Sequence, residues 1–138
     1  MKEEYVLDAC ALIAFINEEL GADNVENVLR EAFAGNAEVF MNKLNVYEVY
    51  YGIYRDEGQH KADEVYSLIR KLPVNIVDTF ADPVFKEAAK LKSKYRLSVA
   101  DSIALGEAIY RDALFVSADH HEFDAVERQE PMRFYWIR

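Results

Sequence analysis

Short apolar runs alternate along the chain with longer stretches whose apolar residues recur every three or four positions. Tyr5-Val6-Leu7 is a run of strand type that stops at Asp8, and Ala11 to Phe15 then begins a helical pattern. Val25, Val28, Leu29, Ala32 and Phe33 keep the spacing of an amphipathic helix that Gly35 stops. Val39-Phe40-Met41 is a second strand. Val46, Val49, Tyr50 and Ile53 mark a third helix ending near Gly58, and Val65, Leu68, Ile69 and Leu72 mark a fourth, closed by Pro73. Val74 to Val77 is a third strand. Asp82-Pro83 predicts an N-cap followed by proline at the first helical position, opening a helix that carries Phe85, Ala88, Ala89 and Leu91. Ser98 opens the next helix, which runs through Ile103 and Ile109; Leu114 to Val116 is a fourth strand and Phe134 to Ile137 a last short one. Strands that alternate with helices predict a parallel sheet of four to five strands with helices on both faces, because parallel neighbours need crossover connections.

Composition narrows the class. With 138 residues, 51% of them hydrophobic, the chain matches one α/β domain spanning 1–138. No apolar run approaches the ~20 residues of a membrane span, and Met1-Lys2-Glu3-Glu4 does not resemble the basic start of a secretory signal. The one cysteine, Cys10, has no partner for a disulfide, so the expected compartment is the reducing cytoplasm. A net charge of -9 argues against a broad basic face for nucleic acid. That objection weakens if several acids share one site with divalent cations, which the formal count omits.

Four acids fall where such a site would form. In a parallel sheet, ligands gather beyond the carboxyl ends of the strands. Asp8 ends the first strand and Asp119 follows the fourth; if those strands are neighbours, both carboxylates reach one edge. Asp101 lies at the start of the helix opened by Ser98, and Glu48 in the first turns of the helix after the second strand. Four clustered carboxylates repel unless a cation joins them, and an oxygen-only donor set suits Mg2+ or Mn2+ together with substrate phosphate. Structural roles compete. Ser98-x-x-Asp101 also reads as a capping motif, Glu48 as an exposed helix residue and Asp119 as a loop acid, whereas an acid at Asp8, between Leu7 and Ala9, is costly to bury without a partner.

With their neighbours, these acids resemble the PIN-domain nucleases, and most closely the VapC-type toxins of toxin–antitoxin pairs. The resemblance rests on Tyr5 to Phe15 around Asp8, Asn42 to Gly52 around Glu48, Leu97 to Leu105 around Asp101, and Leu114 to Phe123 around Asp119. It implies a three-layer α/β/α sandwich with a mostly parallel sheet, and a Mg2+- or Mn2+-dependent ribonuclease, a hydrolase using metal-activated water to leave a 5'-phosphate and a 3'-hydroxyl. Asp8, Glu48, Asp101 and Asp119 would be the catalytic and metal-binding acids, with Asn42, Ser98 and Glu122 as auxiliary candidates. A homodimer and a cognate antitoxin are the implied partners. Cys10 departs from the pattern, which often has Ser or Asn there; the thiol is a weaker hydrogen-bond partner, and a place in the core is its expected role.

Other residues invite functional readings beside plainer ones. His120 and His121 follow Asp119, but a solvated loop is the expectation. Tyr47, Tyr50, Tyr51 and Tyr54 lie along one side of a helix, suited to stacking bases but more to the core or a protein partner. Lys43, Lys92, Lys94 and Arg96 flank the second and third motifs, where they can hold phosphate or stand as solvated charges. The competing functions are a silent PIN-like binding module and a DNA nuclease of the same metal chemistry. A haloacid-type phosphatase phosphorylated on Asp8 lacks its second Asp, because Cys10 stands two residues on, and a receiver domain lacks the neighbouring acids it needs at the first strand.

Overall fold

The computed structural model describes residues 2–138. Five strands, β1 (Glu3–Leu7), β2 (Ala37–Asn42), β3 (Asn75–Val77), β4 (Leu114–Ser117) and β5 (Phe134–Trp136), form one wholly parallel sheet in the order β3-β2-β1-β4-β5. Between them run α1 (Ala9–Ile16), α2 (Ala22–Phe33), α3 (Lys43–Glu57), α4 (Gln59–Lys71), α5 (Asp82–Lys94), α6 (Val99–Arg111) and α7 (His120–Gln129). No helix among the described residues is long and apolar enough to cross a membrane.

The apolar runs are continuous rather than alternating because both faces of the sheet are covered. Leu7, Val39, Met41 and Val116 pack with residues of α1, α2, α3 and α4, while Val6 and Phe115 pack with residues of α5, α6 and α7. Adjacent residues thus serve opposite layers: Val6 and Leu7 are both 0% exposed. Each such side chain contributes roughly 1.5–3 kcal/mol of burial free energy. On the second face, Phe115 meets Phe123 edge-on at 5.1 Å. Gly106 lets α6 lie against α5, since a Cβ there would sit 3.0 Å from both Ala88 N and Val84 O.

Two expectations need correction. The N-cap of α5 is Ala81, with no side-chain bond, so Asp82 is the first helical residue and Pro83 the second. His120 and His121 begin helix α7 rather than lying in a loop; polar residues dominate its sequence, and only Phe123 and Val126 are buried apolar anchors.

Strand order explains where a site forms. From β1 the chain adds β2 and β3 on one side, then returns to add β4 and β5 on the other. After β1 the chain enters α1 on the first face, and after β4 it enters α7 on the second. The two connections diverge, which leaves a crevice at the carboxyl edge between β1 and β4. Its outer side is closed where β5 ends: Ile137 N–H donates to Ser117 O at 3.1 Å, and Asn24 Nδ2 donates to Ile137 O at 2.9 Å. Gly21, at φ +94°, makes that closure possible, because a Cβ would lie 2.6 Å from Ile137 O.

Candidate active site

Asp8 stands at the centre of the crevice. It leaves β1, caps α1 by accepting Ala11 N–H on Oδ1 at 2.7 Å, and accepts Ser117 Oγ–H on Oδ2 at 2.6 Å. Burial pushes its carboxyl up to about 7; the two hydrogen bonds oppose that rise, and the charges of Asp101 and Asp119 add to it. Asp119 caps α7 through Glu122 N–H at 3.1 Å, and its own N–H donates to Ser117 Oγ at 3.0 Å. A single hydroxyl therefore ties Asp8 to the Asp119 backbone.

Asp101, in the first turn of α6, is raised by burial and then by the charges of Glu122 and Asp119, against a lowering bond from Ser98. Glu48 on α3 is raised by burial and by Asp101. Asp101 thus acts on both Asp8 and Glu48, and Asp119 and Glu122 act on Asp101, so the four predicted acids and Glu122 face one crevice. The acids remain spread: among the described residues, no three His, Cys, Asp or Glu side chains stand close enough to enclose an ion. The donor set is nonetheless all carboxylate, with a neutral-range Asp8 at its heart. Such a set fits a hard divalent cation that completes its shell with water and phosphate oxygens.

The sequence profile of the PIN domain matches residues 5–129, from β1 to the end of α7. The chain belongs to the PIN-domain family.

Solved structures agree on the fold of this PIN domain. VapBC from Salmonella typhimurium bound to DNA is similar at 16% identity and a TM-score of 0.70, covering 100% of both chains. VapBC-1 from nontypeable Haemophilus influenzae is similar at 15% identity and a TM-score of 0.73, over 97% of this chain and 98% of that one. Mycobacterium tuberculosis VapC20, described as a sarcin–ricin loop cleaving toxin, is similar at 14% identity and a TM-score of 0.60, over 88% and 94%. No curated protein sequence matches the chain.

The auxiliary candidates divide by role. Asn42 caps α3 by accepting Leu44 N–H at 2.9 Å, which aims the helix bearing Glu48. Ser98 caps α6 by accepting Asp101 N–H at 3.1 Å, so the motif is a helix cap, and that cap uses the Asp101 backbone N–H rather than its carboxylate. Glu122 joins the acids through its effect on Asp101. Two residues of this PIN domain escaped the sequence reading. Ser117 is 0% exposed at the end of the apolar run of β4. Asn45, also 0% exposed, donates from Nδ2 to Ala100 O at 3.3 Å and joins the helices of Glu48 and Asp101; its Oδ1 has no partner among the described residues. Both could be found in sequence as polar residues set in buried apolar patterns.

Cys10 is half-buried rather than a core residue, with its thiol pushed up to about 11 by burial and by the Asp8 charge. It stays protonated and is no nucleophile. Among the tyrosines, Tyr50 donates to Asp63 at 2.6 Å and meets Tyr66 edge-on, so it joins α3 to α4, while Tyr47, Tyr51 and Tyr54 are exposed. Two of the four predicted phosphate-holding cations are committed elsewhere: Lys92 donates to Leu97 O and Lys94 to Glu130, each at 2.8 Å. Lys43 and Arg96 are exposed.

Proposed function

We propose that this PIN domain is a Mg2+- or Mn2+-dependent endoribonuclease and the toxin of a cytoplasmic toxin–antitoxin pair. The observation that carries the reading is the buried Asp8 carboxyl, held near neutrality beside Asp101 and Asp119 with no basic side chain bonded to it. An uncompensated buried acid is a stability cost that a structural role does not repay. Asp8, Glu48, Asp101 and Asp119 would hold the cation, which when bound supplies an activated water and neutralises charge on the scissile phosphate. The chain's own work is positioning. Ser117 and Ala11 N–H fix both oxygens of Asp8, Glu122 N–H fixes Asp119, and Asn45 sets α3 against α6. Water entering in line with the departing 3'-oxygen leaves a 5'-phosphate and a 3'-hydroxyl.

The RNA-cleaving description of one solved relative and the VapBC pairing of the others support substrate and partner. A homodimer is supported by exposed apolar residues around a groove of about 460 Å3, where Leu44, Tyr47, Phe80 and Val99 are each at least 42% exposed. The test is cleavage of pooled, labelled, structured RNAs by the purified, antitoxin-free protein with Mg2+, Mn2+ or EDTA, beside Asp8→Asn and Asp101→Asn. Discrete metal-dependent cuts, lost in both variants, are the expected result. No cutting by folded protein would favour the silent binding module, and cutting of DNA alone the DNA nuclease.

A further inference from the structure

A strand of phosphates brought to a rim of carboxylates needs cations to hold it; Lys92 and Lys94 are bonded elsewhere, while Lys43 at the start of α3 and Arg96 before α6 are exposed. Arg138 stands on the required edge. It follows Ile137, whose N–H is bonded to Ser117, the residue that holds Asp8. The Arg138 carbonyl accepts His120 Nε2 at 2.9 Å, and His120 directly follows Asp119 and lies flat on Trp136 with ring centroids 3.8 Å apart. Its backbone is thereby anchored to the wall that carries Asp119.

The guanidinium is oriented as well. Nη1 donates to Leu20 O at 2.7 Å and to Glu19 Oε1 at 3.3 Å. Bonds among the described residues thus use Nη1 alone and leave the side-on fork of Nε and Nη2 uncommitted. That fork is the edge of arginine that matches two oxygens of a phosphate. The side chain is 31% exposed, beside the wall closed by the Ile137–Ser117 and Asn24–Ile137 bonds. Arg138 is therefore a cation on the outer wall of the crevice, where β5 ends.

We propose that Arg138 is a phosphate-binding residue that grips an RNA backbone phosphate flanking the scissile one. The inference rests on the ribonuclease reading. Glu19 and Leu20 O then act as a bracket that keeps the fork turned outward.

The test is fluorescence anisotropy of a labelled single-stranded oligoribonucleotide, with Ca2+ as the divalent ion, between about 50 and 200 mM KCl. Wild type is compared with Arg138→Gln, Arg138→Lys and Glu19→Gln, each checked by thermal melting. Arg138→Gln is expected to weaken binding about fivefold and to flatten the slope of log K against log salt by about 0.7, the value for one phosphate contact on a single strand. Arg138→Lys keeps the slope with part of the affinity lost, and Glu19→Gln binds at least as tightly as wild type. If Glu19→Gln instead reproduces the loss seen in Arg138→Gln, the arginine is a structural staple and the proposal fails. An unchanged slope in Arg138→Gln, beside a wild type that binds, overturns the proposal and leaves the ribonuclease reading intact. A wild type that binds no RNA at any salt removes both.

Discussion

Asp8 shows how one buried carboxyl links stability to chemistry. Its folded pKa, about 7, lies above the ordinary aspartate value of 3.8, so the folded state binds this proton more tightly than the unfolded chain does. The resulting penalty is absent at pH below the unfolded value, grows as pH rises toward 7, and is complete above that. In metal-free protein it amounts to about 4 kcal/mol at most. Asp8→Asn keeps an acceptor for Ala11 N–H and lacks the charge, so melting in EDTA at pH 8 should give a variant several degrees more stable than wild type, with the gap closing at pH 5. A variant that melts below wild type at pH 8 would refute this account of Asp8. Ser117→Ala removes the bond that opposes the rise and strands Asp119 N–H. It should cost about 1–3 kcal/mol in a denaturant titration and move the acid limb of any cleavage pH profile upward. A change in rate without a shift of that limb would mean that Ser117 acts only through packing.

Among the elements, α5 and α6 show the tightest fit, and Gly106 is its reason. Gly106→Ala gains helix propensity of about 1 kcal/mol but presses a methyl onto the Val84 and Ala88 backbone, so the net expectation is a loss of roughly 1–2 kcal/mol. Because α6 presents Asp101, metal-dependent activity should fall with it; a Tm equal to wild type would show that α5 yields freely. The elements were the most legible part of the sequence. Runs such as Tyr5-Val6-Leu7 and Leu114-Phe115-Val116 carry an unbroken apolar signature because both sheet faces are covered, and Gly35, Gly58 and Pro73 punctuate the helices. Helix α7 was less legible, because His120-His121-Glu122 gives no apolar period until Phe123. The acids could be read from strand ends and motif order. Their supports, Ser117 and Asn45, show in the sequence only as polar residues within apolar patterns, and what each does depends on a distant contact, with Asp8 for one and with α6 for the other.

For the molecule as a whole, the charge of -9 and the acidic crevice make stability depend on what the solution supplies. Adding Mn2+ at pH 8 should raise the Tm by several degrees, and adding it at pH 5.5 should raise it less, because protons on Asp8 compete with the ion. Equal shifts at the two pH values would place the ion away from Asp8. The site occupies one edge because all five strands are parallel and the strand order reverses beside β1, so distant segments deliver their ends to one place. The same arrangement gives Asp8 and Asp119 a second duty as the caps of α1 and α7, each worth about 1 kcal/mol to its helix. Glu48 has no such duty. A lineage that sheds the chemistry but still depends on the shape would therefore give up Glu48 first, let Asp8 pass to Asn, which keeps the cap without the buried charge, and hold Asp119 longest, so a silent descendant would still carry part of the acidic pattern of an active one.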